Sequence, residues 1–196
     1  MDYKEAVEYL ENGQPDKCTD YFRQNGYLLE YAYCLILTGR YDDAAGVIYP
    51  LDSVRADWVR KLLPILKGEF KSYPTYFEIR NFLEIDLTML IKAKQTDAVN
   101  NLLKIADIFQ GVNNESYKLF GRGLLKNEFY KEAKIFLDRS LNEYYNDVEL
   151  HYLFTEYYLA LGHLGYAKRA AENCLKINPD YYPAKKTVKE LSDVTA

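Results

Sequence analysis

Apolar and polar positions along the second half of the chain fall into a repeating helical pattern. Between Asn114 and Asp147, Tyr117, Phe120, Gly121 and Leu124 occupy positions 4, 7, 8 and 11, counted from Asn114. Ala133, Leu137 and Ser140 follow at positions 20, 24 and 27. The next 34 residues, Val148 to Tyr181, repeat the order with His151, Phe154, Thr155 and Tyr158, then Ala167, Ala171 and Cys174. Spacing of i, i+3, i+4, i+7 puts the first set on one face of a helix, and the second set lies on one face of another. Two antiparallel helices per unit follow, with small residues at positions 8 and 20 where the helices approach most closely. Asn114 and Asp147 stand where an N-cap would satisfy the first free amides, and Asn178-Pro179 ends the last unit as proline ends helices.

A third copy starts at Asn25, with Leu28, Tyr31, Ala32, Leu35, Gly39, Tyr41, Ala44 and Ile48 at positions 4, 7, 8, 11, 15, 17, 20 and 24. Before it, Ala6, Tyr9, Gly13, Cys18 and Phe22 form a shortened unit over residues 1–24. Residues 53–113 are helical in pattern but lose the register, and read as two irregular hairpins. In the first, the Trp58, Leu62, Ile65, Leu66 stripe is interrupted by Pro64, which predicts a kinked or shortened helix. A broad apolar band from Tyr76 to Ile91 follows, then one helix carrying Ala98, Leu102, Ile105, Ala106 and Phe109. Residues 182–196 complete the array as a capping helix, with Lys185, Lys186 and Lys189 on its polar side.

The 34-residue period, the aromatic at position 4, the small residue at 8, the alanine at 20 and Pro179 at 32 resemble the tetratricopeptide repeat. Tyr145 at position 32 of the first full repeat and Thr155 at position 8 of the second depart from that pattern. The resemblance implies an all-α fold, a right-handed α-solenoid of antiparallel helix pairs forming one array over residues 1–196. It includes repeats at 25–52, 114–147 and 148–181. It further implies that positions 2, 5, 9, 12 and 13 of each first helix face a concave, peptide-binding groove. The candidate groove residues are Leu29 and Tyr33 from the third copy, Lys118, Arg122 and Lys126 from the 114 repeat, and Tyr152 and Glu156 from the 148 repeat. Lys118, Arg122 and Lys126 are spaced i, i+4, i+8, which draws a basic stripe suited to a peptide carboxylate or acidic side chain, the alternative being a simply solvated face. Glu156, Tyr33 and Leu29 stand where the family's chaperone-tail clamp needs asparagine and lysine, so the resemblance does not extend to that clamp.

Composition narrows the chemistry. The 196 residues are 48% hydrophobic and 28% charged, which supports a buried core and excludes intrinsic disorder. The longest unbroken apolar run, Tyr31 to Leu37, is far too short to cross a bilayer, so membrane insertion is not expected. No basic and apolar leader is visible at Met1. Three cysteines, Cys18, Cys34 and Cys174, fit reduced thiols better than a disulfide framework, which points to the cytoplasm. The net charge of −4 argues against nucleic acid as a partner, and residues 1–52 hold 10 acidic against 4 basic residues. His151 and His163 have no metal-ligand spacing, there is no CxxC pair, and Gly121-Arg122-Gly123 lies inside a helix rather than in a phosphate loop. No catalytic residue, cofactor or metal is expected. With 20 tyrosines, the chain has side chains that pack a ring while keeping a hydroxyl for water or a partner, as a thin two-layer array requires.

The expected function is therefore a non-catalytic scaffold that holds a protein or peptide segment in its groove. Two alternatives stand beside it. One is a regulatory or accessory repeat region of a larger bacterial enzyme such as a glycosyltransferase, on a weak resemblance through the irregular segment Tyr76 to Glu84. The other is a self-associating module, a homodimer held by its aromatic flanks.

Overall fold

Glycine at position 13 is required by how closely two segments meet. Its φ is +66°, and a Cβ there would fall 2.5 Å from backbone atoms of Lys92 and Ala93. A chain whose helices are short and tightly turned makes such approaches at the helix ends. In the computed structural model, which describes residues 1–194, regular structure is helical throughout and the helices pack in neighbouring pairs. The chain divides into two compact units, Met1–Ser116 and Tyr117–Ala196. Among the described residues no helix is long and apolar enough to cross a membrane.

Unit 1 opens with α1 (Tyr3–Glu11), whose first turn is capped by the Asp2 carboxylate accepting from the Glu5 amide at 2.8 Å. A 3₁₀ turn at Pro15–Lys17 leads into α2 (Thr19–Gln24), and α3 (Leu28–Leu37) pairs with α4 (Tyr41–Ile48). The Gly39 turn between them lies where the third copy predicts it, with φ +76°. Ala32 and Ala44, both fully buried, are the small residues of this pair.

α5 (Val54–Leu66) packs on α4 and on α8. Pro64 sits in its last turn, and the helix stops two residues later. The Pro64 carbonyl then accepts from the Glu69 amide at 2.8 Å as the chain reverses through Gly68. The Tyr76 to Ile91 band forms three joined segments: α6 (Tyr76–Asn81), a π-helical turn (Phe82–Asp86) and α7 (Leu87–Lys92). A reciprocal Thr75–Glu78 capping box starts α6, and Lys61 pairs with the buried Glu78 at 2.9 Å.

The helix expected around Ala98 to Phe109 is instead broken at Ile105 into α8 (Thr96–Lys104) and α9 (Ala106–Val112). Past the break, the buried Phe109 ring packs 6.4 Å from Phe82, uniting the α9 and π-turn segments in one core.

Unit 2 holds α10 (Ser116–Lys126, whose first residue closes unit 1), α11 (Tyr130–Glu143), α12 (Val148–Ala160), α13 (Leu164–Ile177) and α14 (Tyr182–Val194). Gly121 lies against Leu137, and the Phe120 and Phe136 rings stack at 4.9 Å between α10 and α11. Asp147 caps α12 as expected, accepting from the Leu150 amide. The cap expected of Asn114 falls to Asn113, whose carboxamide oxygen accepts from the Glu115 amide at 2.9 Å. His151 is buried, its Nε2 2.7 Å from the Tyr145 carbonyl, and serves the core. The expected capping segment 182–196 reaches past Val194, and its last two residues lie outside the described ones.

Candidate functional site

Leu29 and Tyr33 lie one turn apart on α3, so they present the same face. α1 crosses that face with Val7, Leu10 and Glu11, α5 brings Arg55 from its first turn, and α7 brings Met89. Together with Tyr3 and Glu30 these side chains line an open cleft of about 160 Å³ within unit 1. The Tyr3 hydroxyl donates to the Glu30 carboxylate at 2.7 Å, tying the start of α1 to the start of α3 across the mouth. That carboxylate raises the Tyr3 phenol to about 12, so the hydroxyl stays a donor at any physiological pH.

The floor of the cleft is a buried polar cluster. Asp86, 2% exposed, accepts from the Tyr33 hydroxyl at 3.1 Å and from the Arg55 guanidinium at 2.8 Å on one oxygen, and from the Asn81 carboxamide at 2.9 Å on the other. The π-helical turn supplies this geometry: the Leu87 amide bonds back to the Phe82 carbonyl, and Asp86 is carried inward between α6 and α7. Such turns are rare and recur at functional positions. Burial pushes the Asp86 carboxyl up to about 6, against the opposing pull of Arg55, Tyr33 and Asn81. Burial and the Asp86 charge together hold the Tyr33 phenol far above its usual range. Arg55 also lies over two rings, 5.1 Å from the Tyr33 centroid and 5.8 Å from Trp58. Among the described residues no buried side-chain polar atom lacks a partner, and three donors converge on Asp86, so the cluster reads as a structural support.

Tyr33 therefore differs from its sequence-based expectation. It was expected to face the groove as an exposed ring, and it is 6% exposed, with its hydroxyl turned into the protein because Asp86 awaits it there. Leu29 is half-buried and does line the cleft.

The other five candidates belong to unit 2. The basic stripe does not stand free to grip a peptide carboxylate or acidic side chain, because Asp147 at the end of its own repeat and Glu149 of the next one pair with it. Lys118, its side chain 6% exposed, lies 2.7 Å from Asp147 and 3.1 Å from Glu149. Arg122 bonds to Glu149 as well. Lys126 is exposed, and its charge, with that of Arg122, acts on Glu156. Desolvation outweighs both and leaves the Glu156 carboxyl above its ordinary value. Tyr152 is half-buried against Tyr181, ring centroids 5.5 Å apart, beside the core formed by Ala171, Cys174 and Ala184. The Asp147 carboxyl resists burial and is held below its usual range by Lys118 and by the α12 amides.

Of the residues lining the unit 1 cleft, Tyr3, Val7, Leu10, Glu11, Glu30, Arg55 and Met89 escape the repeat register, as does Asp86 behind Tyr33 and Arg55. Asp86 leaves one faint trace in the sequence: with Glu84 it is one of two carboxylates in the largely apolar segment Phe82 to Ile91, and the pattern does not say which of the two is buried, where an unpaired charge would be costly. The three cysteines are buried free thiols, with Cys18 and Cys34 sulfurs 3.7 Å apart. Comparison with protein-family models, with curated proteins and with solved structures finds no match for this chain.

Proposed function

We propose that this chain is a non-catalytic binding module of tetratricopeptide type, a right-handed α-solenoid that holds a segment of a partner protein against its first helices. The observation that carries the reading is the unit 1 cleft, which opens on the α3 face where the repeat register puts Leu29 and Tyr33. A second supporting observation is the bonded cluster against which Tyr33 and Arg55 are set. Buried Asp86, bonded by Tyr33, Arg55 and Asn81, holds two lining side chains in place before a partner arrives, which lowers the ordering cost of binding. The buried reduced thiols support a cytoplasmic site of action.

The test is capture of partners by the immobilised chain, followed by competition with Leu29→Arg, a substitution that fills the cleft from a half-buried position. The expected result is that the partners retained by the wild type are lost on the variant while its helical circular dichroism is unchanged. A partner set retained equally by both proteins would falsify the assignment of the cleft.

A further inference from the structure

We infer that the unit 1 cleft receives a single lysine side chain from a basic segment of the partner. This rests on the reading of unit 1 as a peptide-binding module and names the chemistry its cleft selects. The walls are apolar: Val7 and Leu10 from α1, Leu29 from α3 and Met89 from α7. A cleft of about 160 Å³ suits one extended side chain rather than a cofactor or a nucleotide. Two carboxylates, Glu11 and Glu30, stand at its edge on facing helices. An aliphatic stem ending in a cation meets both requirements, since lysine buries its methylenes along apolar surface while its ammonium reaches polar groups at the rim.

The charges around the site favour a cation over an anion. Arg55 is the basic residue in the lining, and its guanidinium is held by Asp86 at 2.8 Å beneath the cleft. Lys92 approaches the end of α1, but its ammonium bonds the Glu11 carbonyl at 3.2 Å and Asn12 at 3.1 Å, where it caps the helix rather than the Glu11 carboxylate. α1 itself carries Glu5, Glu8 and Glu11 against Lys4. Residues 1–52 bear 10 acidic and 4 basic side chains, so the field that steers an approaching segment is negative. The ammonium is preferred to a guanidinium because the Tyr33 ring face that would stack a planar group is already covered by Arg55, 5.1 Å from its centroid.

The test titrates the full chain with capped twelve-residue helical peptides of alanine and leucine that carry one central lysine. Counterparts have norleucine, arginine or glutamate at that position, and binding is followed by methyl NMR shifts of Leu10, Leu29 and Met89. The lysine peptide is expected to shift these methyls. It should bind about tenfold more tightly than the norleucine peptide and lose that advantage in the Glu11→Gln/Glu30→Gln double variant and at high salt. The thermal unfolding midpoint of the double variant should fall only slightly, since Glu30→Gln keeps a carbonyl oxygen to accept from the Tyr3 hydroxyl and Glu11 is exposed. Equal binding of the norleucine or glutamate peptide at the same methyls overturns the lysine inference and leaves the peptide-binding reading in place. Tighter binding of the arginine peptide likewise overturns the choice of ammonium. Absence of cleft shifts with all four peptides overturns both.

Discussion

Lys118 and Asp147 meet at 2.7 Å across the junction between two consecutive helical hairpins of unit 2. The lysine is the first residue of its repeat's basic stripe, yet its side chain is nearly inaccessible and its charge is answered from within the chain. Asp147 also accepts from the Leu150 amide, so one carboxylate caps α12 and anchors α10 to it.

Removal of the Lys118 ammonium should therefore be a stability change. Lys118→Ala is expected to cost about 2 kcal/mol, less than a fully buried pair because Asp147 and Glu149 keep some contact with water. Lys126→Ala, at an exposed position, should cost about 0.5 kcal/mol or less. Urea unfolding of the two single variants measures the difference. Equal and negligible losses would show that the bridge contributes nothing. A triple alanine replacement of the stripe confounds folding with binding, and the cleft variants in unit 1 are the cleaner probe.

Asp86 gives the protein a pH-dependent contribution whose sign is unusual for a carboxylate. Its folded-state value, about 6, lies above the ordinary carboxylate value, so between about pH 4 and 6 the folded chain binds more protons than the unfolded chain. The contribution of this group is thus most favourable below pH 4 and is lost as the pH rises through 6. Asp86→Asn cannot titrate. The stability of the wild type relative to this variant should fall by on the order of 2 kcal/mol from pH 4 to pH 7. A difference that stays flat, or rises, across that window refutes the assignment.

Two glycines inside helices should respond oppositely to alanine. At Gly121 a new Cβ would lie 2.6 Å from Leu137 Cδ2 and 2.8 Å from its Cγ, in a fully buried position, so Gly121→Ala should destabilise unit 2 by about 1–3 kcal/mol. At Gly46, in α4, a Cβ meets nothing within 4 Å, and alanine should stabilise by about 0.5–1 kcal/mol through helix propensity. Thermal or urea unfolding of both variants decides the matter, and a stabilised Gly121→Ala would contradict the close approach of α10 and α11.

The thiols should be silent in the native protein. Burial raises Cys34 to about 12 and Cys174 to about 11, and raises Cys18 as well. A disulfide reagent should label none of the three until denaturant is added, and then all three. Rapid labelling of Cys18 or Cys34 without denaturant would mean that the start of unit 1 opens far more readily than its packing implies.

Helices were legible wherever a period could be counted. The hairpins α3–α4, α10–α11 and α12–α13, the Asp147 cap and the Gly39 turn follow from residues four or fewer positions apart, and local spacing determines such features. The cleft was half legible: Leu29 and Tyr33 were placed on one helix face, but the register could say nothing of Arg55, Asp86 or Glu30. These residues meet Tyr33 or Tyr3 across 22 to 53 positions of sequence, or, for Tyr3 and Glu30, across 27.

What the sequence determined by itself is the all-helical character and the order of paired helices, because 3.6-residue periodicity, caps and turn glycines act over a few residues. The tertiary structure decided which charges are free. It withdrew Lys118 from the surface, turned the Tyr33 hydroxyl inward, broke the helix at Ile105 and inserted the π-helical turn that carries Asp86 to Arg55. The polar contacts among these depend on which distant group lies within about 3 Å to offset desolvation, and the break at Ile105 goes with the packing of Phe109 on Phe82; a one-dimensional pattern contains neither distance.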